Sequence, residues 1–99
     1  MDLYFRKVIH PQARDNYRVI LKDDGIETEI GSIGFQQASA GTEHWVWAID
    51  NVIAMRDTDT QSRGRDRKDC AQQFRAAWEN FSADPARLTE FIEAKRKRL

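Results

Sequence analysis

The chain predicts an α+β fold: an antiparallel meander of three to four strands with one or two C-terminal helices packed on one of its faces. Three observations carry this. Residues 17–30, YRVILKDDGIETEI, alternate in polarity about Asp24-Gly25, the favoured chemistry of a two-residue hairpin turn. Residues 43–49, EHWVWAI, set Trp45, Trp47 and Ile49 on one face of a strand. Cys70, Phe74, Ala77, Trp78 and Phe81 recur at spacings of four, three, one and three, which is one stripe of an α-helix. A length of 99 residues fits one domain, spanning 1–99, with the meander over about 3–50, a polar loop at 56–64 and helices over about 66–82 and 85–97.

Taken in order, LYFRKVI (3–9) mixes aromatic and β-branched residues and reads as a strand ended by Pro11; PQARDN (11–16) reads as a loop. The Asp24-Gly25 turn pairs Asp23 with Ile26, Lys22 with Glu27, Leu21 with Thr28 and Val19 with Ile30. Tyr17, Val19, Leu21, Ile26, Thr28 and Ile30 then share one face, and Lys22 and Glu27 form a charge pair on the other. Parity changes after Ile30, since Ile33 and Phe35 are the next large apolar residues. One extra residue at Gly31-Ser32, a β-bulge, restores them to the same face. QQASAG (36–41) reads as a loop, EHWVWAI as the last strand of the meander, and NVIAM (51–55) as a short apolar stretch of undecided structure. Asp66, with Asp69 three residues on, caps the first helix; Asp84 caps the second, with Pro85 at its first position and Leu88, Phe91 and Ile92 on its apolar face.

The two tryptophans of the 43–49 strand raise the choice between core and ligand platform. Burying one Trp removes about 150–250 Å² from water, an upper bound of roughly 4–6 kcal/mol. Two exposed tryptophans would forfeit as much as the whole net stability of such a domain. The helix stripe also needs a partner for Phe74, Trp78 and Phe81, so the helix is expected across the Trp face. The opposite face carries Ile20, His44, Val46 and Ala48, a mild patch suited to a partner or a second copy of the chain.

The sequence DNYRVI…GSIG…EHWVWAID…RG…CAQQFRAAW resembles a set of short α-proteobacterial proteins of unknown function. The matching residues are Asp15 and Tyr17, Gly31 and Ile33, Trp45 and Trp47, Gly64, Phe74 and Trp78, so the resemblance covers roughly residues 15–81. RGRDRKDC departs from the usual Gly-small-x-Thr-Arg-Glu helix start, and residues 84–99 extend beyond the pattern. The resemblance implies a structural framework and brings no catalytic residues with it.

Charge and motifs narrow the function. Sixteen basic and sixteen acidic residues cancel, so no global field attracts nucleic acid or an anionic membrane. Residues 1–50 hold five basic and eight acidic side chains and residues 51–99 hold eleven and eight, so the second half is mildly basic. A lone cysteine, Cys70, makes no internal disulfide, and no signal peptide or membrane span is evident, which leads to an expected cytoplasmic location. Asp57-Thr58-Asp59-Thr60 begins like the D-x-D-x-T of haloacid-dehalogenase phosphatases. Gln61 stands where that motif wants Thr, and the chain has no room for the α/β domain. The same stretch fails as a calcium loop, with Ser62 at the glycine position and Lys68 at the glutamate position. His10 and His44 lack metal-ligand spacing, and Cys70 on the apolar stripe reads as a small buried thiol. No enzymatic activity, cofactor or metal is expected.

The remaining signal is basic: Arg63, Arg65, Arg67 and Lys68 at a loop-helix junction, and Lys95, Arg96, Lys97 and Arg98 at the C-terminus. Such groups suit phosphate contacts, and a three-stranded sheet followed by a helix is also the order of elements in plant ethylene-response DNA-binding domains. Against this, Asp66 and Asp69 interleave the first cluster, Glu27 and Glu29 sit on the outer sheet face, and cations at a helix C-terminus complement its dipole. The expected role is a non-catalytic binding or protein-interaction module, with nucleic-acid binding through the basic loop and tail as the alternative.

Overall fold

The computed structural model describes residues 2–9, 15–37, 43–55 and 58–97. Five strands run in sequence order in one antiparallel sheet: β1 (Asp2–Lys7), β2 (Asn16–Asp23), β3 (Ile26–Gln37), β4 (Glu43–Ile49) and β5 (Gln61–Gly64). Two helices follow, α1 (Arg67–Ser82) and α2 (Pro85–Lys97). The α+β class and both helices match the sequence reading; the sheet is larger than the expected three to four strands. Residues 61–64, expected within a polar loop, pair with β4 as its outer neighbour. Gln61, Ser62 and Arg63 are all exposed, so no alternation of apolar and polar side chains marks this strand. Its backbone pairing makes it, and its short length and charge suit an edge. Pro11, residues 38–41 of the anticipated 36–41 loop, Asp57 and Arg98 lie outside the described residues. Gln36 and Gln37 belong to β3.

The β2–β3 hairpin forms as its turn dictates. Asp24 and Gly25 have φ of 52° and 80°, the left-handed pair that a type I′ turn requires. Asp23↔Ile26, Lys22↔Glu27 and Leu21↔Thr28 pair as expected. The bulge falls one residue earlier than predicted: Ile20 faces Glu29 and Val19 faces Gly31, leaving Ile30 as the extra residue, so the expected Val19–Ile30 pair does not form. The reason lies in α1. A side chain at Gly31 would point at the helix, where a Cβ would lie 2.5 Å from Cε2 of Phe74. Bulging at Ile30 lets that large side chain and the bare Gly31 both serve the inner face. The expected Lys22–Glu27 pair is also replaced, because the Arg6 guanidinium reaches across from β1 to Glu27 at 2.9 Å.

Val19, Leu21, Ile30, Ile33, Trp47 and Ile49 of the sheet form one buried cluster with Cys70, Phe74, Trp78 and Phe81 of α1 and Phe91 of α2. Trp47 meets Phe74 edge-on at 5.9 Å, and Trp78, Phe81 and Phe91 form a triangle of rings 5.2–5.7 Å apart. Trp45 is half-buried and meets Phe35 edge-on. Trp47 and Trp78 are core, and Trp45 packs against the edge of the same cluster. Trp47 also satisfies its indole N–H, which donates to Gln73 Oε1 at 2.9 Å. Asp66 caps α1 by accepting from the Asp69 N–H at 2.7 Å, and Asp84 caps α2 by accepting from Ala86 at 3.0 Å. No described helix is long and apolar enough to cross a membrane.

Gly31→Ala forces a methyl against the Ala48 carbonyl oxygen of β4 and into the Phe74 ring. We expect a loss of about 1–3 kcal/mol in urea unfolding, with the near-ultraviolet aromatic signal altered in the folded state.

Candidate functional site

Both helices lie on one side of the sheet, so the register defines an outer face. It carries Tyr4 and Arg6 on β1; Arg18, Ile20 and Lys22 on β2; Glu27, Glu29, Ser32 and Gln36 on β3; His44, Val46 and Ala48 on β4; and Gln61 and Arg63 on β5. Among the described residues no helix or strand covers it.

This face has two parts. Over β1, β2 and the start of β3 it is a lattice of opposite charges: Arg6 with Glu27 at 2.9 Å, and Arg18 with Glu29 at 3.9 Å and with Asp50 at 2.6 Å. Ile20 lies within this lattice and is fully buried. It was expected on an accessible interaction patch and is not available there. Tyr4 and Glu29 flank it across the ladder and Arg18 and Lys22 along the strand, and long side chains of this kind lay their stems over an apolar neighbour. Over the rest of β3, β4 and β5 the face is low and mostly neutral. Ser32, Gln36, His44, Val46, Ala48 and Arg63 line a shallow hollow of about 460 Å³ there. His44 Nδ1 is buried and has no hydrogen-bond partner among the described residues. The sequence reading placed His44, Val46 and Ala48 on this face and the register keeps them there. It missed Ser32, Gln36 and Gln61, which only strand pairing across β3–β4–β5 brings alongside.

Among the described residues the basic side chains sit on several elements. Arg63 is on the outer face of β5, whereas Arg65 follows that strand and sits 3.6 Å from Asp69. Arg67 donates to the Tyr17 hydroxyl at 2.7 Å and stacks on the Tyr17 ring. Lys68 is exposed beside Trp45 and Asp66. At the other end of the chain, Arg96 and Lys97 are exposed on α2, while Lys95 is largely buried and pairs with Asp50. The Arg65 backbone N–H, above all, holds the Asp69 carboxyl below the usual range, so this acid answers the neighbouring cations.

Asp50, just after β4, bridges the sheet and the second helix. Its Oδ2 accepts from Arg18 on β2 and from Lys95 on α2, tying the second helix to the sheet. Burial pushes its pKa up, but the hydrogen bonds and charges of Arg18 and Lys95 outweigh this and leave it lowered. A hollow of about 780 Å³ adjoins this pair and is lined by Ile26, Thr28, Glu29, Val52 and Arg96 as well. Its two most buried charges already satisfy each other. Cys70 is fully buried; burial first, then the Asp69 and Asp66 carboxylates, push its thiol up to about 11. No group of three or more His, Cys, Asp or Glu side chains suited to a metal is found among the described residues. The chain matches no protein-family model, no curated protein and no solved structure.

Two outcomes follow. Because the folded Asp50 pKa is depressed from 3.8, its stabilising contribution is complete above that value and is lost as pH falls through the lower folded value. Asp50→Asn is therefore expected to cost roughly 1–3 kcal/mol near pH 7 and to flatten the fall in urea midpoint below pH 3.8 relative to the parent chain. Cys70 is expected to resist a disulfide thiol reagent at pH 8 in the native state and to react at once in denaturant; immediate native reaction would contradict the buried, raised-pKa thiol.

Proposed function

We propose that this chain is a non-catalytic protein-interaction module that binds through the outer face of its sheet, around Ser32, His44, Val46, Ala48 and Arg63. The observation that carries this reading is one-sidedness: every described helix packs on the tryptophan face, and the low neutral strip opposite is left uncovered. The strip has the features of a polar, transient interface: small side chains that allow close approach, hydrogen-bonding groups in Gln36, Gln61 and Ser32, and one cation at its rim. Of the residues that carry the resemblance to short α-proteobacterial proteins, Tyr17, Gly31, Ile33, Trp45, Trp47, Gly64, Phe74 and Trp78 lie on the inner layer and Asp15 is exposed, so the resemblance is mainly one of framework. A cytoplasmic setting belongs to the same proposal.

Nucleic-acid binding is the weaker alternative. Arg65, Arg67 and Lys95 each have a local partner, and Arg6 and Arg18 on the outer face are paired with acids. Counterion release needs cations that are free to meet phosphates on one surface.

The test uses a photo-activated phenylalanine analogue at position 48, with the same probe at exposed position 76 on α1 as control, in cells expressing the chain. Adducts to protein at 48 and none at 76 are expected. Adducts to nucleic acid, or adducts at 76 and none at 48, overturn the proposal.

A further inference from the structure

Resting on that reading, we infer that the outer face is occupied by a second copy of this chain in a weak, face-to-face, two-fold dimer centred on Ala48. The face is self-complementary. Ala48 pairs with Ser32 on β3 and Gln61 on β5, so the middle row is made of small or neutral side chains. Glu29 stands to one side of this row on β3, and Arg63 to the other side on β5. Glu29 is 56% exposed and has only a loose contact with Arg18 at 3.9 Å. Arg63 is exposed and has no salt bridge among the described residues.

Strands lie about 4.8 Å apart and rise about 3.3 Å per residue. Arg63 is opposite Val46, which is opposite Gly34, and the bulge residue Ile30 takes up one step between Gly34 and Glu29. Two strand spacings across and about four residues along therefore separate the two charges, roughly 16 Å. Their midpoint falls on Ala48. A two-fold axis lying in the contact plane over Ala48, perpendicular to that diagonal, sets Arg63 of one copy against the partner's Glu29, twice. The same operation crosses the two sheets near-orthogonally, one of the two standard modes of sheet-on-sheet packing.

Two further features agree. The chain has a net charge of zero, so copies do not repel one another at long range. The face spans only about 400 Å² of flat area per copy, against about 800 Å² per partner in a standard stable interface. No large apolar side chain is exposed on it; Ile9 and Ile26, the exposed ones among the described residues, lie elsewhere. Both point to a reversible dimer.

The experiment is sedimentation equilibrium of the full chain from about 10 μM to about 1 mM at low salt, over which such a dimer accumulates. The expected result is concentration-dependent dimer. Ala48→Arg, which puts a long cation at the axis, removes it, and Ala76→Arg on α1 does not change it. Arg63→Glu raises the dissociation constant at least tenfold, and the double reversal Glu29→Arg with Arg63→Glu restores it. This restoration reports contact between copies, because the two residues are far apart within one chain. If thermal melting shows Glu29→Arg to be unfolded, Glu29→Gln and Arg63→Gln form a gentler cycle, in which the two losses must be non-additive. A monomer at every concentration overturns the dimer, as does a dimer indifferent to Ala48→Arg and Arg63→Glu, or additive losses in the cycle. Adducts at position 48 to proteins of other mass, with a monomer in the centrifuge, retain the interaction surface and remove only the second copy as its occupant.

Discussion

The seat of Phe74 against the bare backbone of Gly31 is the contact on which the two layers of this protein depend. A Cβ at Gly31 would overlap both the Phe74 ring and the Ala48 carbonyl oxygen of β4, so the helix and the neighbouring strand approach this closely because β3 carries no side chain there. Gly64 repeats the device at the start of α1, where a Cβ would lie 2.5 Å from Cys70 Sγ. The two close approaches fix the helix along the Trp47 side of the sheet. From Phe74 the aromatic contacts continue to Trp47, and further along α1 Trp78 and Phe81 enclose Phe91 and so recruit α2. The cluster is dense with rings, which bury more area per residue than aliphatic side chains and suit a chain of only 99 residues.

The proposed function rests on the same asymmetry. A sheet with most of its large apolar side chains committed to one layer leaves the other face mainly to charges and small residues, with Ile20 buried among the charged side chains there. Here the charges neutralise one another over β1 and β2, and Asp50 extends that network to α2 through Lys95. What remains is a low strip over β3, β4 and β5 with Arg63 at one end and the loosely held Glu29 at the other. Such a strip offers little apolar area, so any contact it makes is decided by shape and by the placement of two charges.

Much of this was legible in the sequence, for definite reasons. The 17–30 hairpin was legible because Asp24-Gly25 permits one turn type and that turn fixes the register. The helices were legible because caps and stripes coincide: Asp66 and Asp84 begin them, and every buried residue of α1 lies on the predicted stripe. The bulge was legible in kind but displaced by one residue, since its position answers to the Phe74 ring, which is far away in sequence. β5 was hidden because its three exposed polar residues carry no periodic signal; its pairing with β4 is a tertiary fact. Ile20 was read as accessible by strand parity, which reports direction and not what neighbouring side chains cover. The basic cluster read as a unit in sequence and was dispersed by the fold, with Arg63 on the sheet and Arg67 on Tyr17. Asp50 was missed because its partners come from positions 18 and 95.

The most direct test of the central claim, that one sheet face is core and the other an open contact surface, is methyl nuclear magnetic resonance of the dilute chain with a soluble paramagnetic agent. The account predicts strong broadening of the Val46 and Ala48 methyls and little at Val19, Ile33 and Ile49, which are buried on the opposite face. Equal protection of Val46 and Ala48 would contradict it, by showing that the face is already covered within a single chain.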